Sequence, residues 1–132
     1  MSAQQQQPAG SRRLRERALR EELRAGILRG EVIPYYQPIL TVRDRSVVRL
    51  EALARWQHPE RGVLSPIGFV PFAEQTGFVR LLTRWMIDEV ARTAQALSQQ
   101  GLAMKLAVNL STRDLLDPEL PPRLADAIAR HQ

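Results

Sequence analysis

Ten consecutive residues, Val47-Val-Arg-Leu-Glu-Ala-Leu-Ala-Arg-Trp56, limit the folds open to this chain more than any other stretch. Successive side chains of a strand point to opposite sides, so period 2 splits the segment into two unlike faces. Val48, Leu50, Ala52, Ala54 and Trp56 make one face, which is wholly apolar. Arg49, Glu51, Leu53 and Arg55 make the other. In an antiparallel sheet with one wet side, the second face is simply the solvated one. In a barrel strand, the apolar side packs on outer helices and the charged side points inward, near the C-terminal mouth where barrel enzymes keep their chemistry. There Glu51 offers a carboxylate oxygen to a cation, and Arg55 offers a clamp to a phosphate. The alternation alone leaves both readings open.

The flanking segments narrow the choice. Val32 to Leu40 is β-rich but contains Pro34 and Pro38. Neither proline can donate to a ladder, so this strand is not paired regularly on both sides. Gln37, within it, presents either a solvated amide or one aimed at a ligand. Thr41–Ser46 is too short for a parallel crossover and predicts an antiparallel hairpin. The run Gln57-His-Pro-Glu-Arg-Gly62 is expected to end the second strand as a loop, and His58 beside Pro59 reads as loop structure. Ser65 then caps a short helix with Pro66 at its first position. Phe69, Val70, Phe72 and Ala73 are its expected buried side, and Gln75-Thr-Gly77 is its stop. Glu74, near its end, is either a substrate contact above the barrel mouth or an ordinary helix-surface carboxylate.

A long helix is predicted from Phe78 to Gln100. Phe78, Leu81, Leu82, Trp85, Met86, Val90, Ala94 and Leu97 form its apolar stripe, and such a stripe is core packing. Gly101 ends it. Met104–Leu110 reads as a third strand, reached through a helix and therefore parallel to the second. Asn109, at its C-terminal end, is either a cation ligand through its carbonyl oxygen or the cap of the next helix. Ser111 is available for that capping. Ser111–Leu116 and Leu120–Arg130 read as two short helices.

Residues 1–10, with four glutamines, a proline and a glycine, have nothing to bury and are expected to be disordered. A helix is predicted from Ser11, its cap, with Leu14, Ala18, Leu23 and Ile27 inward and Gly30 as its stop. Charge concentrates here: residues 1–30 hold seven arginines against three glutamates, or +4 of a net +5. A basic arm of this kind suits nucleic acid or an anionic surface, or is a solvated helix in an arginine-rich protein. The lone lysine, Lys105, among eighteen arginines favours the second reading. No aromatic platform accompanies the arm, which argues against nucleic acid. The absence of cysteine excludes disulfides and thiolate metal sites. His58 and His131 are too few and too far apart for a histidine metal site. No apolar run approaches the roughly 20 residues of a membrane helix, and the polar start lacks a signal-peptide core, so a cytoplasmic chain is expected.

Glu51-Ala52-Leu53, continuing as Ala54-Arg55-Trp56, resembles the signature of the EAL-domain phosphodiesterases, which linearise the bacterial second messenger cyclic di-GMP. The resemblance extends to Tyr35-Tyr-Gln-Pro-Ile39, Arg55-Trp-Gln-His-Pro59, Ser65-Pro66, Phe69-Val-Pro-Phe-Ala-Glu74, Thr76-Gly77 and Ala107-Val-Asn-Leu-Ser111, in the family's order and spacing. It implies an α/β fold: a partial (β/α) TIM-type barrel with its first two strands antiparallel and its C-terminal half missing. The implied organisation is a tail over 1–10, a basic lead-in helix over 11–30, and the N-terminal half of an EAL domain over 31–132. The implied chemistry is two-metal hydrolysis of cyclic di-GMP to linear pGpG with Mg²⁺ or Mn²⁺. By resemblance Glu51 and Asn109 are metal ligands, Arg55 contacts phosphate, and Gln37 and Leu53 line the nucleotide site.

The family's later residues have no counterparts here. It takes further ligands from a later Glu, a paired Asp-Asp and another Glu, and uses a Lys to order water. No Asp-Asp occurs in this sequence, and Lys105 does not match the family's lysine. The expectation is therefore a fragment or truncated form of the phosphodiesterase, inactive alone, with cyclic di-GMP and the remainder of a barrel as partners. The alternative is a degenerate EAL module that binds nucleotide or protein without cleaving it.

Overall fold

The computed structural model describes residues 9–131; the tail expected over 1–10 lies outside the described residues up to Pro8, and Ala9 and Gly10 are already helical. The elements in chain order are α1 (Ala9–Leu28), β1 (Val32–Leu40), β2 (Val47–His58), β3 (Gly62–Leu64), α2 (Pro66–Thr76), α3 (Val79–Gln99), β4 (Leu106–Val108), α4 (Thr112–Leu115) and α5 (Leu120–Arg130). Ser11 thus falls inside the first helix instead of capping it.

All four strands form one open sheet built around β2. β1 pairs antiparallel along nearly its whole length, from Val32 opposite Trp56 to Leu40 opposite Val47. The other edge of β2 is shared. β4 runs parallel there, with Leu50, Glu51 and Ala52 opposite Leu106, Ala107 and Val108. β3 runs antiparallel farther along, with Trp56 opposite Leu64. The antiparallel first pair and the parallel third barrel strand agree with the sequence reading.

β3 was not anticipated, and it corrects the loop expected over Gln57–Gly62. β2 continues through His58, and a turn at Pro59–Arg61 reverses the chain. His58 is the reason. Its ring is 4% exposed, and its Nδ1 accepts the backbone N–H groups of Glu60 (3.1 Å) and Arg61 (3.2 Å). Nε2 therefore carries the proton and donates to Glu22 Oε1 at 2.7 Å, tying the turn to α1. Gly62 completes the turn at φ 72°, a conformation glycine adopts without steric cost.

The apolar face of β2 meets the helices. Val32, Ala52, Trp56, Leu23, Ile27, Phe69, Ala73, Leu82, Met86 and Val90 form the core. The two indoles are satisfied within it: Trp56 Nε1 donates to Glu31 Oε2 at 3.1 Å, and Trp85 Nε1 donates to the carbonyl of Val32 at 2.7 Å. Arg29 also donates to Glu31, at 2.6 Å, and these bonds, the Arg29 bond above all, hold the Glu31 carboxyl below its ordinary range. In α3, Val79, Thr83 and Ile87 are buried beside part of the expected stripe, whereas Leu81 and Trp85 are half-buried.

The stripe expected on α1 needs correction. Leu23 and Ile27 are buried, but Leu14 is 69% exposed and Ala18 is exposed. Leu14 and Leu23 are nine residues apart. At 3.6 residues per turn that is two and a half turns, so they occupy opposite sides. The inward side runs through Leu19, Leu23, Gly26 and Ile27. Gly26 belongs there because a Cβ at that position would lie 2.8 Å from Trp56 Nε1 and from Glu31 Oε2.

Candidate functional site

The second face of β2 looks away from this core. Residues directly paired across a ladder share a face. The register therefore places Gln37 opposite Glu51, Tyr35 opposite Leu53 and Ile33 opposite Arg55 on one side of the sheet. Ala107 lies opposite Glu51 on the parallel edge, and Asn109 follows two residues later, just past the end of β4.

The structure brings Glu51 and Asn109 into contact: Asn109 Nδ2 donates to Glu51 Oε1 at 2.9 Å. A separation of 58 residues in sequence collapses to one hydrogen bond because β4 is parallel to β2 and in register with it. Leu53 and Arg55 are half-buried on the same face, and Gln37 is exposed there. Arg55 lays its guanidinium over the Tyr35 ring, Cζ 5.5 Å from the centroid, and donates through Nη1 to the carbonyl of Ala54 at 2.9 Å. That stacking holds one planar cation on the same face of the sheet as Glu51.

Asn109 does not cap the next helix. Ser111 does: its hydroxyl accepts the Asp114 N–H, and the Asp114 carboxylate accepts the Ser111 N–H in return. Ser65, by contrast, occupies the cap position of α2 without a side-chain bond, while Pro66 opens that helix and Gly77 closes it in the left-handed conformation. Glu74 is exposed near the end of α2. It lines a cavity of about 230 Å³ with Leu53, Val70, Thr83, Leu110 and Asn109, beside the Glu51–Asn109 contact.

The sequence reading missed Asp114 and Thr83. Asp114 is 2% exposed, and its Oδ2 accepts from Thr83 Oγ1 at 2.9 Å. The Ser111-x-x-Asp114 spacing was a visible capping signal. The partner on α3 was not, since 31 residues separate it from Asp114.

Two oxygen-bearing side chains side by side suit a hard cation such as Mg²⁺ or Mn²⁺. Two such groups do not by themselves make a whole site. Among the described residues no group of three or more histidine, aspartate or glutamate side chains is placed to hold a metal ion. The residues present therefore do not fit a pair of ions by themselves. No helix among the described residues is long and apolar enough to cross a membrane.

The chain is 40% identical over 95 residues to the cyclic di-GMP phosphodiesterase PdeR of Escherichia coli, covering 72% of this chain and 14% of the relative. It is 39% identical over 109 residues to an uncharacterized signaling protein of Caulobacter vibrioides, covering 82% of this chain and 13% of the relative. Among solved structures, PaMucR phosphodiesterase in complex with c-di-GMP superposes with a TM-score of 0.81 at 32% identity, covering 86% of this chain and 47% of that one. The chain thus spans about one-seventh of those curated relatives and about half of the solved chain. The sheet is correspondingly open, a part of the TIM-type barrel of EAL structures. With the EAL domain profile matching residues 20–132, this chain belongs to the EAL domain family.

Proposed function

We propose that the face of β2 bearing Glu51, with the end of β4, is one wall of a cyclic di-GMP phosphodiesterase site. The contact of Asn109 with Glu51 at 2.9 Å carries this reading. It joins a carboxylate and an amide at the C-terminal end of a parallel barrel strand, where barrel enzymes keep their chemistry. In the reading, Glu51 and Asn109 would hold Mg²⁺ or Mn²⁺ together with ligands from the rest of a barrel, and the metal would supply an activated water and neutralise phosphate charge. Arg55, stacked on Tyr35, contacts a phosphate of the nucleotide. Gln37 and Leu53 line the nucleotide on the same face of the sheet, and cyclic di-GMP is the partner. Residues 31–132 act as the N-terminal half of the domain, residues 11–30 as its lead-in helix, and the chain works in the cytoplasm.

Two protein ligands do not hold an ion pair at the roughly 3.5–4 Å spacing of two-metal displacement. The remaining ligands must come from elsewhere in a complete barrel, and this chain alone does not turn over. A non-catalytic binding module is the second reading, favoured by the lack of a third ligand among the described residues.

The test is product formation from cyclic di-GMP with Mg²⁺ or Mn²⁺, by this chain and by a barrel completed with the later strands of a relative. The expected result is no product from the chain alone, and product from the completed barrel that is lost in Glu51→Ala and Asn109→Ala. A completed barrel that binds nucleotide without cleaving it would favour the second reading. Metal-dependent turnover by the chain alone, lost in both variants, would overturn the claim that its site is incomplete.

A further inference from the structure

We infer that Asp114 and Thr83 are positioning residues for Asn109, holding it against Glu51 through an anchor on α3. The inference rests on the reading of Asn109 as a site residue. β4 is only three residues long, and Asn109 lies beyond its last ladder pair. Leu110, next in sequence, is 43% exposed and contributes little to hold the backbone. Fixation comes one residue later. A single oxygen, Asp114 Oδ2, accepts three donors: the Ser111 N–H at 2.8 Å, the Ser111 hydroxyl at 2.7 Å and the Thr83 hydroxyl at 2.9 Å.

An ordinary capping box needs only the first of these bonds and sits at the surface. Here Asp114 is 2% exposed, and the third donor to its carboxylate comes from another element. Burying a carboxylate is costly unless hydrogen bonds satisfy it. Capping a helix of four residues does not require that cost. What the buried carboxylate adds is a bolt between residue 111 and α3. Thr83 is 5% exposed, flanked on α3 by the buried residues Leu82 and Met86. The bolt therefore reaches the core on one side and ends two residues from Asn109 on the other.

Thr83→Val tests this, because it removes the hydroxyl, keeps the volume and leaves the capping box whole. Thr83→Ser restores the hydroxyl. The readout is the NMR order parameter of the Asn109 side-chain amide in the 132-residue chain, without metal or nucleotide. The account expects the order parameter of this amide to fall in Thr83→Val and to recover in Thr83→Ser. Ser111→Ala, which strips a donor from the same oxygen without touching α3, should loosen the amide too and serves if Thr83→Val does not fold. An unchanged Asn109 amide in a folded Thr83→Val or Ser111→Ala chain would overturn the inference, as would a Thr83→Ser chain as loose as Thr83→Val. Cyclic di-GMP and Mg²⁺ are then titrated into the wild-type chain. Absence of any response at Asn109 would count against the functional reading while leaving the positioning result intact.

Discussion

Trp56 and Glu51 stand on one strand, and they face two different worlds. Trp56 is fully buried, bonded to Glu31, and so closely approached by α1 that only glycine fits at position 26. Glu51 is half-buried, and the bond to it from Asn109 comes from just beyond the end of a strand of three residues. The difference teaches where this chain invests its stability. The apolar face of β2 holds the fold together. The charged face is held in register by that packing and contributes little to it.

Four experiments test the contrast, ordered by their expected effect on stability. Trp56→Ala should cost about 3–5 kcal/mol, the range for deleting a buried aromatic. Its urea midpoint should fall farther than those of Gly26→Ala, Glu51→Gln and Asn109→Ala. Gly26→Ala should cost about 1–3 kcal/mol, because the new methyl meets an indole ring embedded in the core and the ring must shift. A Gly26→Ala chain as stable as wild type would mean that α1 is not held against Trp56 as described.

The hairpin between β1 and β2 gives a smaller, pH-dependent effect. Asp44 is bonded by the Thr41 hydroxyl and by the N–H and hydroxyl of Ser46. Those bonds, the Thr41 bond first, lower its pKa from 3.8 to about 2. A depressed carboxylate stabilises the fold fully above its unfolded pKa and loses that contribution as pH falls through the folded value. The turn should therefore keep its amide-proton chemical shifts down to about pH 4 and change between about 4 and 2. In Asp44→Asn that pH dependence should vanish.

At the site the expected effect on stability is smallest. Glu51→Gln and Asn109→Ala should each move the unfolding free energy by no more than about 0.5 kcal/mol. Each should nevertheless weaken metal-dependent nucleotide binding by about tenfold or more, the worth of one charge-assisted contact. A large loss of stability in either variant would place the pair in the scaffold and erase the contrast between faces.

The fold was legible where local pattern and packing agreed. Alternation over Val47–Trp56, the short Thr41–Ser46 link and the helix before Met104 gave the sheet, its strand directions and the side on which Glu51 lies. Phase on α1 was not legible, because Leu14 and Leu23 both look inward on paper while standing half a turn apart on the helix. The β2–β3 turn was hidden for another reason. It depends on a bond from His58 to Glu22, 36 residues earlier, and sequence spacing carries no trace of such a bond. The candidate site residues Glu51, Arg55 and Asn109 were singled out chiefly through family resemblance, and the structure adds the contact between Glu51 and Asn109. Thr83 was not singled out, because a threonine inside an amphipathic helix reads as packing until the carboxylate it faces is known.

The account's central claim is that one face of β2 binds and the other only folds. Cyclic di-GMP titrated with Mg²⁺ into the isotopically labelled chain tests it most directly, by following every backbone and side-chain amide. The account predicts weak, saturable shifts concentrated at Gln37, Glu51, Leu53, Arg55 and Asn109, with Val48, Ala52 and Trp56 unmoved. Shifts centred on the arginines of α1 or on the α3–α5 surface, or nucleotide binding that leaves Glu51 and Asn109 unperturbed, would contradict it.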